Sequence, residues 1–467
     1  MIDFNESTNL VANWVGLVVR TNDNGKRADV SLVLSVRVCG GGIASLLGLI
    51  IGPKLGCKIL LFSYVIVTIC GNFAGFLALI LDRYYLLIIS RILTGFGNAG
   101  TWMSAVNYVT EIASSRNRGK TLFLLIASQE TGMVLGTVLA GPSVMGKPVV
   151  WRYLLLLVSV WFMPVPILLL RYPESPRHLL YTKRQCYEAL NSVRAFNSHD
   201  DGLELLDSLV AGFQQNQTES NDRRFSSLSW TEFWKPICLA FALAGVLGFG
   251  GRFILLNLSV YILDQAGFSW IAARYANIAI TAVAVTYMIT CYNFMDQFER
   301  RNILRIGIAG ALFCQISLFG ISVFVAYDYY NALVHVLTVC VMTLWFFSVN
   351  VGLMPSYIIV SEMFSQQHRN IGLSLFMIVL YFVGSVSCFL YPLLSMTHGM
   401  LGLIVALIAC SALVICSLPR TTGQSLEDIA VQKGYFPASP EKSSTEFASL
   451  MRFKKTTGRI AEQSTAN

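Results

Sequence analysis

Eleven apolar runs, each long enough to cross a bilayer as a helix, constrain this chain more than any other feature. They fall near residues 31–52, 59–81, 86–109, 121–143, 151–171, 236–262, 269–293, 303–326, 332–361, 369–393 and 398–418. At 1.5 Å per residue, about 20 residues cross the roughly 30 Å hydrocarbon core, where every backbone polar group needs an internal partner. Runs of that length in that number imply an all-α membrane protein. Composition agrees: 55% of the 467 residues are hydrophobic and only 13% charged, against about 25% charged in soluble proteins.

A net charge of +8 raises the question of a nucleic-acid partner. With these boundaries, about 24 of the 34 Lys and Arg fall in loops on one side and about seven on the other, while Arg37, Arg91 and Arg252 lie inside helices. Lys and Arg of short loops stay in the cytosol, so the charge reports topology and no nucleic acid is implied. Eleven cysteines include Cys70, Cys291, Cys314, Cys340, Cys388 and Cys410 in apolar runs, with no C-x-x-C pair. They read as buried structural thiols rather than a disulfide framework or a metal site.

The run ending near Val109 leads into the most informative segment, Arg91 to Lys120. Gly95, Gly97 and Gly100, with Ala99 and Ala105, allow close helix contact. Glu111 then precedes Arg116, Arg118 and Lys120 at a cytosolic boundary. Arg91, the glycines, Glu111 and Arg118-Gly119 resemble the signature of the sugar porters, the facilitated glucose transporter branch of the major facilitator superfamily. PESPR at Pro173–Arg177, SEMFSQQHR at Ser361–Arg369 and PRTTGQSLEDI at Pro419–Ile429 follow in the family's order. The resemblance implies two helix bundles, a solute carried between them, and no enzymatic activity. No nucleophile–base constellation, cofactor motif or metal-ligand spacing appears beside it.

Read in order, residues 1–30 form an extracellular segment with a glycosylation sequon at Asn5. Residues 31–171 form the first bundle, 172–235 a cytosolic helical linker, 236–418 the second bundle, and 419–467 a cytosolic tail. The run Leu10–Val19 is too short to span, so alignment by motif leaves the family's first helix without a counterpart. The family has twelve helices, and eleven imply a shortened product or a start farther upstream. Where the superfamily has an acid or Asn and an Arg in its inner-gate loop, Gly52–Lys58 has Pro53 and Cys57, which implies a weaker latch. Cell-surface placement is the family's default.

The resemblance also implies cytoplasmic gating pairs that tie the bundles together and part as the inside opens. Arg91, Glu111, Arg118, Glu174 and Arg177 in the first half, with Glu362 and Arg369 in the second, match them. The plainer alternative is a set of helix-end charges worth under about 1 kcal/mol each.

The hexose site is where the match thins. Sugar hydroxyls need amide and indole partners, since an unpartnered buried hydroxyl costs about 1–3 kcal/mol. Gap-free alignment places Ile126, Leu247, Gly248, Phe253, Ala284 and Leu380 where the family has amides. Ser348 and Ser356 stand for an acid and a Trp, and only Pro355 and Tyr381 remain. Instead, Glu130 lies about mid-membrane, with Arg37 and Arg252 in the outer halves of their helices. Such charges must face one another or a wet cavity. The readings are a structural pair such as Glu130 with an Arg, a ligand role for Arg252, or proton coupling at Glu130. Asn257, Asn277, Asn350, Gln129, Tyr287 and Tyr357 could add neutral hydrogen bonds, although such residues often only join helices. The function implied is facilitated transport of a hexose-like small solute, against two rivals: an organic-anion carrier on the same fold, and a non-transporting sensor.

Overall fold

A computed structural model shows a protein built almost wholly of helices. The described residues are 24–81, 83–113, 118–146, 150, 152–197, 202, 205–206, 209, 234–291, 299–327, 332–353, 355–364 and 369–417. Asn5, the start of the first segment and the tail from 418 lie outside them. For Pro53, Arg118, Glu362 and Arg369 only the backbone falls within the described part.

The first half holds α1 (Asn24–Leu55), α2 (Cys57–Ile80), α3 (Tyr84–Ile112), α4 (Arg118–Leu139), α5 (Arg152–Phe162) and α6 (Pro164–Arg171). Two short helices follow, α7 (Pro176–Tyr181) and α8 (Cys186–Phe196). The second half holds α9 (Lys235–Phe249), α10 (Arg252–Gln265), α11 (Trp270–Cys291), α12 (Arg300–Ala326) and α13 (Ala332–Phe347). A π-helical stretch (Ser348–Leu353), α14 (Pro355–Met363), α15 (Arg369–Leu390) and α16 (Met396–Ser417) complete it.

Among the described residues, ten segments are long and apolar enough to cross a membrane. The eleventh expected span, α3, has that length at 29 residues but is less apolar because it carries Arg91 and Glu111. It is lodged between α1 and α2. A Cβ on Gly95 would stand 1.8 Å from the Arg37 carbonyl, and one on Gly97 2.7 Å from the Thr68 backbone nitrogen. Backbone therefore meets backbone where lipid gives helices no hydrophobic drive to associate. Outward faces carry large apolar side chains such as Ile50, Ile167, Ile306, Phe313 and Leu413, more than half exposed, as a lipid-facing surface requires.

Three spans expected to be continuous are broken. Pro164 begins a new helix after Met163 and splits 151–171 into α5 and α6, because a proline lacks the N–H a helix interior needs. Gly250–Gly251 splits 236–262, with Gly251 at φ +101°. The π-helical turn and Pro355 split 332–361. Cysteines divide as well: Cys314 and Cys388 are buried as expected, whereas Cys70 and Cys340 lie on exposed faces.

The halves meet along two seams, α1 against α15 and α4 against α11. The linker helices α7 and α8 dock on one end of the first half, where Asn197 Nδ2 donates to Ile112 O and Tyr108 Oη to Pro173 O. That end is called the linker end, and the other the far end.

Candidate functional site

Two of the breaks, both in the second half, meet Glu130 of the first half and define the site. At the first, the indole Nε1 of fully buried Trp345 donates to Gly250 O at 2.7 Å, and Gln315 Nε2 donates to Phe249 O at 2.8 Å. These bonds satisfy carbonyls that the interrupted helix leaves free. Arg252 is then the first residue of α10. At the second, the backbones of Gly307 and Gly352 touch, which fixes the π-helical stretch that carries Asn350.

From the first half, Glu130 reaches both breaks. Arg252 Nη1 donates to Glu130 Oε1 at 2.6 Å and also to Asn350 Oδ1, while Asn350 Nδ2 donates to Glu130 Oε2 at 3.0 Å. The three side chains close a ring, with Glu130 fully buried and Arg252 and Asn350 about 5% exposed or less. Glu130 stands 12 residues from the start of α4, about 18 Å along the helix and so deep within the roughly 30 Å hydrocarbon core. An isolated charge there is costly, and the ring leaves each group bonded. Trp102 meets Tyr357 edge-on at 5.7 Å, and Tyr381 packs on Phe253 at 5.3 Å beside Gly41. Buried Pro355 starts α14 just past the π-helical stretch.

The remaining candidates are placed elsewhere. Asn257 accepts from Arg37 Nη1 at 3.3 Å, a second bond between the halves, farther toward the far end. Ser385 Oγ to Ser35 O at 3.0 Å and Thr137 with Thr281 at 3.4 Å lie on the same side of the ring. Tyr287 is 56% exposed and packs on Phe347, away from the ring. Ile126, Leu247, Ala284 and Leu380 are buried in the apolar core.

The gating set divides. Arg91 is fully buried, 20 residues before Glu111 on α3 and thus about 30 Å from the linker end. It does not join the others. Glu111 Oε2 accepts from Ser175 Oγ and from Cys57 Sγ, and Glu174 Oε1 accepts from the backbone N–H of Lys58 at 2.9 Å and of Ser175 at 3.1 Å. Among the described residues, the loop from Gly52 to Lys58 is thus held through the Cys57 thiol and the Lys58 backbone amide. Arg177 is buried beside them, and among the described residues none of its nitrogens meets a hydrogen-bond acceptor.

His178, on α7, packs against Gly56 in this cluster. Burial lowers its pKa, against the opposing pull of Glu174 and Glu111 and with a small lowering from Lys183. A His whose folded pKa lies below its unfolded value of about 6.5 favours folding above that pH and loses the contribution as pH falls through the folded value. Acidification below about pH 6.5 is therefore expected to loosen α7 and α8. Hydrogen exchange of their amides as a function of pH checks this. If His178→Gln leaves the acid-induced loosening in place, the His is not its cause.

Sequence reasoning singled out Glu130 and Arg252 because charges at that depth stand out. It missed Arg274, which lies near the start of the 269–293 run. Arg274 is 3% exposed, with its guanidinium 4.4 Å over the Trp270 ring and Nη1 at 3.5 Å from Gly146 O. The W-x-x-x-R spacing at 270–274, one helical turn, was the available signal.

Similarity to known proteins bears on this geometry. The sequence is 26% identical to the facilitated glucose transporter member 2 of Bos taurus over 74% of this chain and 67% of that protein. It is 24% identical to the major myo-inositol transporter IolT of Bacillus subtilis over 73% of each. The fold matches the proton:xylose symporter XylE bound to 6-bromo-6-deoxy-D-glucose, with a TM-score of 0.73 at 15% identity, covering 92% of this chain and 96% of that one. The inward-open form of XylE from E. coli matches with a TM-score of 0.64 at 17% identity. These likenesses fix the architecture as that of the major facilitator superfamily. The sequence profile of the sugar (and other) transporter family matches residues 6–432, nearly the whole length, and the chain belongs to that family of multi-pass membrane transporters.

Proposed function

We propose that the chain is a facilitated carrier of a hexose-like small solute, working by alternating access between its two halves. The observation that carries this reading is the ring of Glu130, Arg252 and Asn350. It joins the halves at mid-membrane and sits at two helix breaks, the feature that marks solute sites in carriers built of repeated halves. The curated relatives named for glucose and myo-inositol support a polyhydroxylated solute.

In this reading the linker end is cytosolic, and residues 1–30 and 419–467 flank two bundles joined by a cytosolic linker at 172–235. The far-end bonds of Arg37 with Asn257 and Ser385 with Ser35 close the outer side and part when the solute enters. Glu111, Arg118, Glu174, Arg177, Glu362 and Arg369 act at the inner gate. The protein lies in the plasma membrane, glycosylated at Asn5.

The test is uptake of labelled glucose, xylose and myo-inositol by cells with confirmed surface expression. Saturable uptake of at least one, competed by the unlabelled solute, is expected. Uptake equal to that of untransfected cells for all three would count against the reading.

A further inference from the structure

We infer that the ring is a carboxylate site occupied by the protein's own Glu130, and that the solute it admits is a sugar acid, a hexose-like polyol with one carboxylate. This rests on the carrier reading and narrows its substrate class.

The donors belong to one half and the carboxylate to the other. Arg252 and Asn350 are held within the second half by the bonds of Trp345 and Gln315 to the α9 carbonyls and by the Gly307–Gly352 contact. Glu130 comes from α4 of the first half and places one oxygen on Arg252 and the other on Asn350. That is the two-point recognition a free carboxylate seeks. When the halves part, the donors stay together and lose their carboxylate. A neutral sugar entering there would leave Arg252 unpaired in a low-dielectric interior, a costly state. A solute carboxylate restores the pairing. The apolar side chains of Ile126, Leu247, Ala284 and Leu380, buried where amides would bind a neutral sugar, point the same way.

Charge balance then requires a proton. Arg252 and Glu130 together are neutral, and an entering carboxylate adds one negative charge. Displaced Glu130 takes up one proton from the side the solute enters, and no other bond is made or broken. Among the described residues, the other charged or titratable groups facing the ring are Tyr357 of α14 and Tyr381 of α15, with Arg37 of α1 beside Tyr381, Arg91 of α3 near Arg37, and Arg274 and Tyr275 of α11 toward the far end. None of them is a second carboxylate. Each sugar acid thus crosses with one proton, without net charge.

The experiment uses the full chain in proteoliposomes with labelled D-glucuronate and D-glucose, the inside at about pH 7.5 and the outside at about pH 7.5 or 5.5. Glucuronate uptake is expected to exceed glucose uptake about ten-fold and to rise several-fold at the lower outside pH. In Glu130→Gln the ratio of glucuronate uptake at the two outside pH values should fall to about one, whatever the level of uptake that remains. The double variant Glu130→Gln, Arg252→Gln, neutral and close in shape, should lose glucuronate uptake. Glucose uptake that glucuronate neither matches nor inhibits would overturn the sugar-acid site and leave the carrier reading standing. If no solute is carried, thermal unfolding in detergent decides. A rise in Tm with glucuronate for the parent and not for the double variant supports the site and rejects the carrier, and no rise rejects both.

Discussion

Arg252→Met is expected to destabilise the folded protein by about 3–5 kcal/mol, the range seen when one partner of a buried ion pair is removed. Glu130 would keep its bond from Asn350 Nδ2 but would stand as a fully buried carboxylate without a cation at mid-membrane. Removing both charges should be far milder. In Arg252→Met with Glu130→Leu, the desolvation cost disappears together with the attraction, and well-packed apolar replacements of buried pairs are often neutral. The measurement is unfolding of the detergent-solubilised protein for the parent, both single variants and the double, read as a double-mutant cycle. A double variant as unstable as the sum of the singles would show that the ring carries no coupling between the halves.

That cycle also tests what the sequence conveyed. Two charged residues at membrane depth were legible because their placement costs too much to be incidental. Their pairing was not. Arg252 lies 122 residues from Glu130 and reaches it from the first position of α10, while the sequence reads 236–262 as one uninterrupted helix. Helix periodicity carries no mark of an interruption that a distant Trp345 stabilises. The spans were legible for the opposite reason: each is a local property of about 20 consecutive residues.

The cluster at the linker end shows the same limit from another side. PESPR and Glu111 were recognisable as a signature, but the signature names residues and not partners. Glu111 is bonded to Ser175 and Cys57, and Glu174 to the backbone amide of its neighbour Ser175 and to that of Lys58, which follows the turn at Gly56, φ +87°, into α2. At Cys57 the contact to Glu111 is made by a thiol, at 3.5 Å. Asn257 was legible as a polar group at depth, yet its partner Arg37 is 220 residues away on the other half.

Gly251→Ala is expected to cost about 3 kcal/mol and to reduce transport as well, since two independent penalties of about 1–3 kcal/mol each fall on one atom. Its backbone sits at φ +101°, where a Cβ is strained, and that Cβ would stand 2.2 Å from Cζ2 of Trp345. Trp345 cannot yield, because it is fully buried and its indole is tied to Gly250 O at 2.7 Å. The chain would have to move instead, and the next residue is Arg252. A shift there lengthens the Arg252–Glu130 bond that joins the halves, so stability and solute handling should fall together. Gly132→Ala on α4 is the control, since its Cβ would meet nothing within 4 Å and alanine favours the helix by about 0.5–1 kcal/mol. Thermal unfolding and uptake of both variants, measured at matched expression, separate the cases. Equal stability of the two would mean that the break at Gly250–Gly251 is not held as described, and with it the placement of Arg252 would lose its physical basis.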